Sequence, residues 1–248
     1  MKHVKIESRE SVAIIRLDNG VTNAVSPGLV DDLSSALTRV KNEFKGIILA
    51  GGAKFFCIGF DLPRLLKLDR TGMTQFFFEF NQVAFDLFKL PLPTACAING
   101  HAIAGGNILA LTCDYRFAAS GKKLIGLNEV KLGVPVPYLA DLMLRQIVGD
   151  RAATDILYRG KFVALSDAEQ IGLVDEVVPQ EEVEDRAMDT IAELADLPRA
   201  AFTAIKANRV EAIRLRYEKN HESKNENFLD CWFSQAVQAL LTEAAKKF

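Results

Sequence analysis

Two short glycine-bearing segments, Ile58-Gly59-Phe60-Asp61 and Ala104-Gly105-Gly106-Asn107, each stand between an extended apolar run and a helical pattern. At such a junction glycine lets the backbone approach a ligand with no Cβ in the way. The helix start adds about half a positive charge, so its N–H groups suit an anion or a developing oxyanion. Close packing of helix on strand would leave the same pattern, and neither segment completes a dinucleotide or P-loop signature. One carboxylate, Glu129, sits among apolar neighbours in Leu124-Ile125-Gly126-Leu127-Asn128-Glu129. Buried, it would have a raised pKa and serve as a general base; at an exposed strand end it would have no such role. His3, His101 and His221 lack triad or metal-ligand spacing. Cys57, Cys96, Cys113 and Cys231 lie far apart with no CxxC, as expected of reduced, mostly buried thiols. No metal site is expected.

The elements that must position these groups alternate in type. Period-two patterning predicts strands at Val4–Glu7 and Val12–Leu17, the second ending in the turn Asp18-Asn19-Gly20. Ser26-Pro27 predicts a helix start, with Leu29, Leu33, Ala36, Leu37 and Val40 on one face. Short buried strands follow at Gly46–Ala50, Thr94–Ile98 and Tyr115–Ala119, with helices over Met73–Leu87 and Ile108–Cys113. Asp150 and Ser166 are expected to cap later helices, Ser166 with Glu169 at capping-box spacing, and Gly172 to stop the second before a strand Leu173–Val178. From Glu181 onward the pattern is helical only. This order describes an α/β domain followed by a helical part.

With 248 residues, 49% hydrophobic and 25% charged, the chain has enough apolar surface for a large core, which excludes disordered and fibrous classes. A formal charge of −2 argues against binding nucleic acid by bulk electrostatics. The first seventeen residues mix charges with alternating apolar positions, unlike a signal peptide, and Ala102–Cys113 is too short to span a bilayer. The expected location is cytoplasm, or an organelle matrix if a transit peptide has been removed.

The segments Ala50–Leu62 and Ile98–Gly106 together resemble the two signature segments of the crotonase, or enoyl-CoA hydratase/isomerase, superfamily. The Ser26-Pro27 start and Ser166-Asp167-Ala168-Glu169…Gly172-Leu173-Val174-Asp175 match as well, so the resemblance covers nearly the whole chain. It implies an α/β spiral of ββα units, residues 1–190, carrying an acyl-CoA site. Residues 191–248 would then form a helical region that builds homotrimers, often stacked as hexamers. It assigns the oxyanion donors to the backbone N–H groups of Phe60 and Gly105. It places CoA adenine against Ile58, Phe60 and Leu62, with Val21 to Asn23 near pantetheine and phosphates. CoA is part of the substrate, so no separate cofactor is implied.

One departure matters. Where hydratases of the superfamily carry a glutamate after the glycines, this chain has Ile108, while Glu129 matches the second family glutamate. Hydration needs one group to activate water and another to deliver a proton, whereas a double-bond shift needs one base that takes and returns a proton. Leu111–Arg116, Ile125–Glu129 and Lys131-Leu132-Gly133 look most like mitochondrial-type Δ3,Δ2-enoyl-CoA isomerases. The expected function is therefore conversion of 3-enoyl-CoA to trans-2-enoyl-CoA in β-oxidation, with Glu129 as base. The alternatives are a hydratase or other acyl-CoA lyase using a further residue such as Asp141, and, more remotely, a non-catalytic acyl-CoA- or RNA-binding homologue.

Overall fold

The computed structural model describes residues 1–246. It opens with a hairpin of β1 (Val4–Arg9) and β2 (Val12–Leu17), paired antiparallel from Val4 opposite Leu17 to Arg9 opposite Val12. Then come α1 (Pro27–Glu43), β3 (Gly46–Ala50), β4 (Phe55–Cys57), α2 (Leu62–Leu65), α3 (Arg70–Phe88), β5 (Thr94–Ile98), β6 (His101–Ile103) and α4 (Gly105–Leu111). Next are β7 (Tyr115–Ala119), β8 (Leu124–Gly126), a 3-10 turn at Glu129–Leu132, α5 (Tyr138–Arg159), β9 (Phe162–Ala164), α6 (Leu165–Gln170) and β10 (Glu176–Val178). Three helices close the chain: α7 (Val183–Ala195), α8 (Arg199–Trp232) and α9 (Gln235–Ala245).

The strands form two sheets, one ordered β1-β2-β3-β5-β7-β10 and the other β4-β6-β8-β9. In each successive pair, β3 with β4, β5 with β6 and β7 with β8, the first strand joins the large sheet and the second the small one, and helix follows. That repeat is the expected spiral of ββα units. All pairings from β2 to β10 in the large sheet are parallel, which requires cover on both faces. In β2, Ala13 and Ile15 pack into the main core with Leu29 and Leu33 of α1, while Val12 and Ile14 pack in the cluster with Val183, Ala187 and Ile191 of α7. Residue 190, the expected end of the spiral part, lies inside α7. No helix among the described residues is long and apolar enough to cross a membrane.

Helix starts divide into those whose cap chemistry is met and those where burial sets the end. Ser26 accepts from the Leu29 N–H as expected. The third helix begins earlier than its apolar periodicity, because Asp69 accepts from Gly72 N–H at 2.8 Å and caps it. Asp150 and Ser166 are not caps. Asp150 lies within α5, after a break at Gly149 (φ 78°), and pairs with Arg145. Ser166 lies in the first turn of α6, which starts earlier as Leu165 is drawn into the core; Glu169 instead accepts from Val177 N–H and steadies β10. Leu173 and Val174 are buried but unpaired with any strand; their N–H groups bond back to Ala168 O.

Candidate active site

The two glycine turns meet. A Cβ on Gly59 (φ 98°) would lie 3.0 Å from Ala104 Cβ and 3.1 Å from Gly105 N, and one on Gly105 would lie 3.2 Å from Gly59 Cα. Val25 holds the first turn from both sides, donating to Gly59 O at 2.7 Å and accepting from Asp61 N at 3.0 Å. Phe60 sits between those bonds, and its N–H donates to no acceptor among the described residues. Gly105 is the first residue of α4, and its N–H is likewise without an acceptor there, as helix geometry dictates for a first turn. Preceding it, Ala104 takes φ 49°, ψ −118°, a conformation L residues avoid. This strained residue fixes the direction in which α4 begins.

Facing the turns is a cavity of about 310 Å3, lined among others by Ile58, Phe60, Leu62, Gly105, Ile108 and Glu129. The 3-10 turn that begins at Glu129 leaves the residue only 6% exposed, and its Oε2 has no hydrogen-bond partner among the described residues. Loss of water pushes its pKa up from 4.5 to about 7, partly offset by the backbone N–H groups of Glu129 and Asn128. Such a value suits a proton acceptor at neutral pH. Ile108, one turn into α4, is 1% exposed and adds an apolar side chain to the lining that Glu129 shares. Phe60 is fixed edge-on by Phe76 and Phe80, with ring centroids 5.1 and 5.0 Å away. The arrangement therefore offers one proton acceptor and two backbone donors across an apolar space.

Six of the residues singled out from sequence come together here: Glu129, Phe60, Gly105, Ile58, Leu62 and Ile108. Val21 and Asn23 lie outside the cavity lining. Val21 is 70% exposed, while Asn23 is buried at φ 47° with its side chain committed. Asn23 Oδ1 accepts from Asn19 N at 2.8 Å and Nδ2 donates to Phe56 O at 3.2 Å, tying the loop after β2 to β4. Asp141 is bound to Arg145 at 3.1 Å and borders a separate open groove of about 620 Å3, not the Glu129 cavity. The far wall was missed from sequence. It comes from Phe228 and Trp232 of α8 and Leu241 and Ala244 of α9, some hundred residues beyond Glu129. The only sequence signal for it is the apolar face of those two helices.

The chain is 30% identical over 242 residues to the mitochondrial enoyl-CoA delta isomerase 1 of Homo sapiens, spanning 96% of this chain and 80% of the relative. The crystal structure of human mitochondrial delta3-delta2-enoyl-CoA isomerase superposes with a TM-score of 0.95 at 29% identity, covering 99% of this chain and 97% of that one. An enoyl-CoA hydratase structure from Bacillus anthracis superposes with a TM-score of 0.81 at 25% identity, covering 98% and 96%. The family model described as enoyl-CoA hydratase/isomerase matches residues 7–247, and with two signature turns meeting over one buried glutamate, the chain belongs to that family.

Proposed function

We propose that the protein moves the double bond of 3-enoyl-CoA thioesters to the trans-2 position, as β-oxidation of unsaturated fatty acids requires. The observation that carries this is the one carboxylate in the lining, Glu129, buried with one oxygen unpartnered among the described residues, in an apolar cavity shared with the Phe60 and Gly105 turns. Glu129 takes the C2 proton. The electrons move into the thioester carbonyl, giving a dienolate whose oxygen accepts from the Phe60 and Gly105 N–H groups, and Glu129 returns the proton at C4. Proton and electrons balance without any redox partner. Ile108 and the α8–α9 wall keep water from the dienolate, favouring reprotonation over hydration.

The similarity to the human isomerase supports this choice within the family. On this reading the substrate is an acyl-CoA whose CoA part lies along Ile58, Phe60 and Leu62. Val21 and Asn23 would stand near its pantetheine and phosphates, Asn23 through its backbone because its side chain is committed. The helical region after residue 190 would assemble a homotrimer or a hexamer of stacked trimers. The enzyme would work in cytoplasm or an organelle matrix. The decisive experiment gives the protein trans-3-enoyl-CoA and trans-2-enoyl-CoA and identifies every product. Isomerisation far faster than hydration is expected. Hydration of the 2-enoyl thioester at an equal or greater rate would overturn the reading in favour of a hydratase.

A further inference from the structure

The carboxyl that the proton shift needs is covered. Glu129 Oε2 is closed off from solvent, so the C2 of a thioester meets it only after part of the wall has moved. Two helices complete that wall, and they are fastened differently. The first, α8, is tied to the body by directional bonds: Lys206 and Arg209 pair with Asp114, Glu226 and Asp230 pair with Arg70 of α3, and Gln146 of α5 donates to Arg209 O. The second, α9, brings Leu241 and Ala244 to the cavity without any such tie. Among the described residues, each hydrogen bond or ion pair of residues 233–246 ends within that segment or on the last turn of α8. Gln238, for example, donates to Trp232 O at 2.7 Å and Ser234 to Cys231 O at 2.8 Å. Apolar contact alone holds α9 to the rest of the fold, chiefly through the buried side chains of Val237 and Leu241. It lies against both α2 and the 3-10 turn of Glu129. At that turn Gly133 takes φ 80°, and a Cβ there would stand 2.7 Å from Val237 Cγ2, so the missing side chain is what lets the helix seat.

We infer that α9 is a lid, which swings about Phe233 and Ser234 to uncover Glu129 for an acyl-CoA and recloses over the bound acyl chain. The pivot itself is pinned, because the Arg70 guanidinium lies 5.8 Å from the Phe233 ring. Beyond it the helix lifts without breaking a directional bond to the body, as an element held by few buried side chains can. Reclosing restores the apolar contacts and shuts water out of the site. This rests on Glu129 as the proton acceptor and goes further by naming the element that admits the substrate to it.

A reversible lock tests it. A Cβ on Gly133 would lie 3.6 Å from Val237 Cβ, within the span of a disulfide, so Gly133→Cys combined with Val237→Cys can be closed with diamide and reopened with dithiothreitol. Both redox forms share the strain of a Cys at φ 80°, so each preparation is its own control, and wild type is carried through the same oxidation. Hexanoyl-CoA has no double bond to shift, and its association is followed by the fluorescence of Trp232, the one tryptophan of the chain. Oxidation should slow both hexanoyl-CoA association and kcat/KM for 3-enoyl-CoA by about tenfold or more, and reduction should restore them. Leu241→Ala removes the most buried anchor of α9 and should speed association about threefold, which decides the matter should the double variant not fold. Equal association rates in the oxidised and reduced forms overturn the inference, as does a folded Leu241→Ala that binds no faster than wild type. Failure of the isomerase reading would look different: no form shifts any 3-enoyl-CoA, while the lock still slows hexanoyl-CoA.

Discussion

Two carboxylates taken out of water are treated in opposite ways. The Asp114 side chain is 9% exposed and fully occupied: Lys206 at 2.7 Å, Arg209 at 2.5 Å, and Thr94 through both its N–H and its hydroxyl. Lys206 also donates to Leu92 O at 2.8 Å, so this cluster fastens α8 to the ends of β5 and β7. Among the described residues, the similarly buried Glu129 has no cationic partner, and one of its oxygens has no partner at all. Burial pushes the Lys206 ammonium pKa down, against the pull of Asp114, and pushes the Glu129 carboxyl up to about 7. A paired carboxylate holds the fold together; an unpaired one stores a readiness to take a proton. On the proposed function, the difference marks where the molecule would have given up stability for reactivity.

The largest expected effect is on rate. Glu129→Gln preserves shape and removes the base, so isomerase turnover should fall by roughly 10²–10⁴-fold while acyl-CoA binding persists. Steady-state kinetics beside a thermal melt would check it. If turnover stayed above about a third of wild type, Glu129 would be no more catalytic than Asp114.

Asp114→Asn is the mirror case. It strands Lys206 without its counter-charge, and breaking a buried pair costs about 3–5 kcal/mol, so denaturant unfolding should show a loss of that order. Turnover per folded molecule should stay within about threefold, because Asp114 lies outside the cavity lining. A large rate loss without a stability loss would break the comparison from the other side.

pH sharpens it further. Folding raises the Glu129 pKa from 4.5 to about 7, so the folded state binds the proton more tightly than the unfolded chain. The stability this confers is fully present below 4.5 and is lost as pH rises through about 7. Each pKa unit is worth about 1.4 kcal/mol, so wild type should lose about 3 kcal/mol relative to Glu129→Gln across that window. Activity should run the other way, with kcat/KM rising tenfold per pH unit until it levels near pH 7. A flat stability difference between the two proteins from pH 4.5 to 8 would mean Glu129 is not buried as described.

Much of this contrast lies beyond what local patterning reveals. Ser26-Pro27 and the apolar positions of α1 are legible because cap, proline and period all act within one helix. The strand Thr94–Ile98 is legible because sheet order buries it on both faces, leaving a continuous apolar run. Glu129 cannot be told from a surface glutamate by its neighbours, because the cavity it lines is completed by α8 and α9. The family resemblance named Phe60, Gly105 and Glu129 but not Trp232, since the far wall is built by contacts between residues a hundred positions apart. Ser166 shows the converse: its spacing to Glu169 is that of a capping box, but with Leu165 buried in the core and Glu169 bonded to Val177, the helix begins before it and Ser166 caps nothing.

The smallest effect concerns the backbone counterpart of the unpaired carboxylate. Ala104 holds φ 49°, ψ −118° immediately before the Gly105 donor, at a strain cost of about 1–3 kcal/mol for a residue with a Cβ. Ala104→Gly relieves that strain, but it also frees the unfolded chain, which takes back about 0.4–1 kcal/mol. The Cβ it removes packs toward Gly59, so some contact is lost as well. The net expectation is a gain of about 1 kcal/mol in unfolding free energy. A looser start to α4 should cost the Gly105 N–H some of its aim, and turnover should fall about two- to threefold. Denaturant titration and kcat on the same preparation read both halves. A variant less stable than wild type would show that the neighbouring packing, not backbone strain, governs position 104, and that this half of the site has given up no stability for its chemistry.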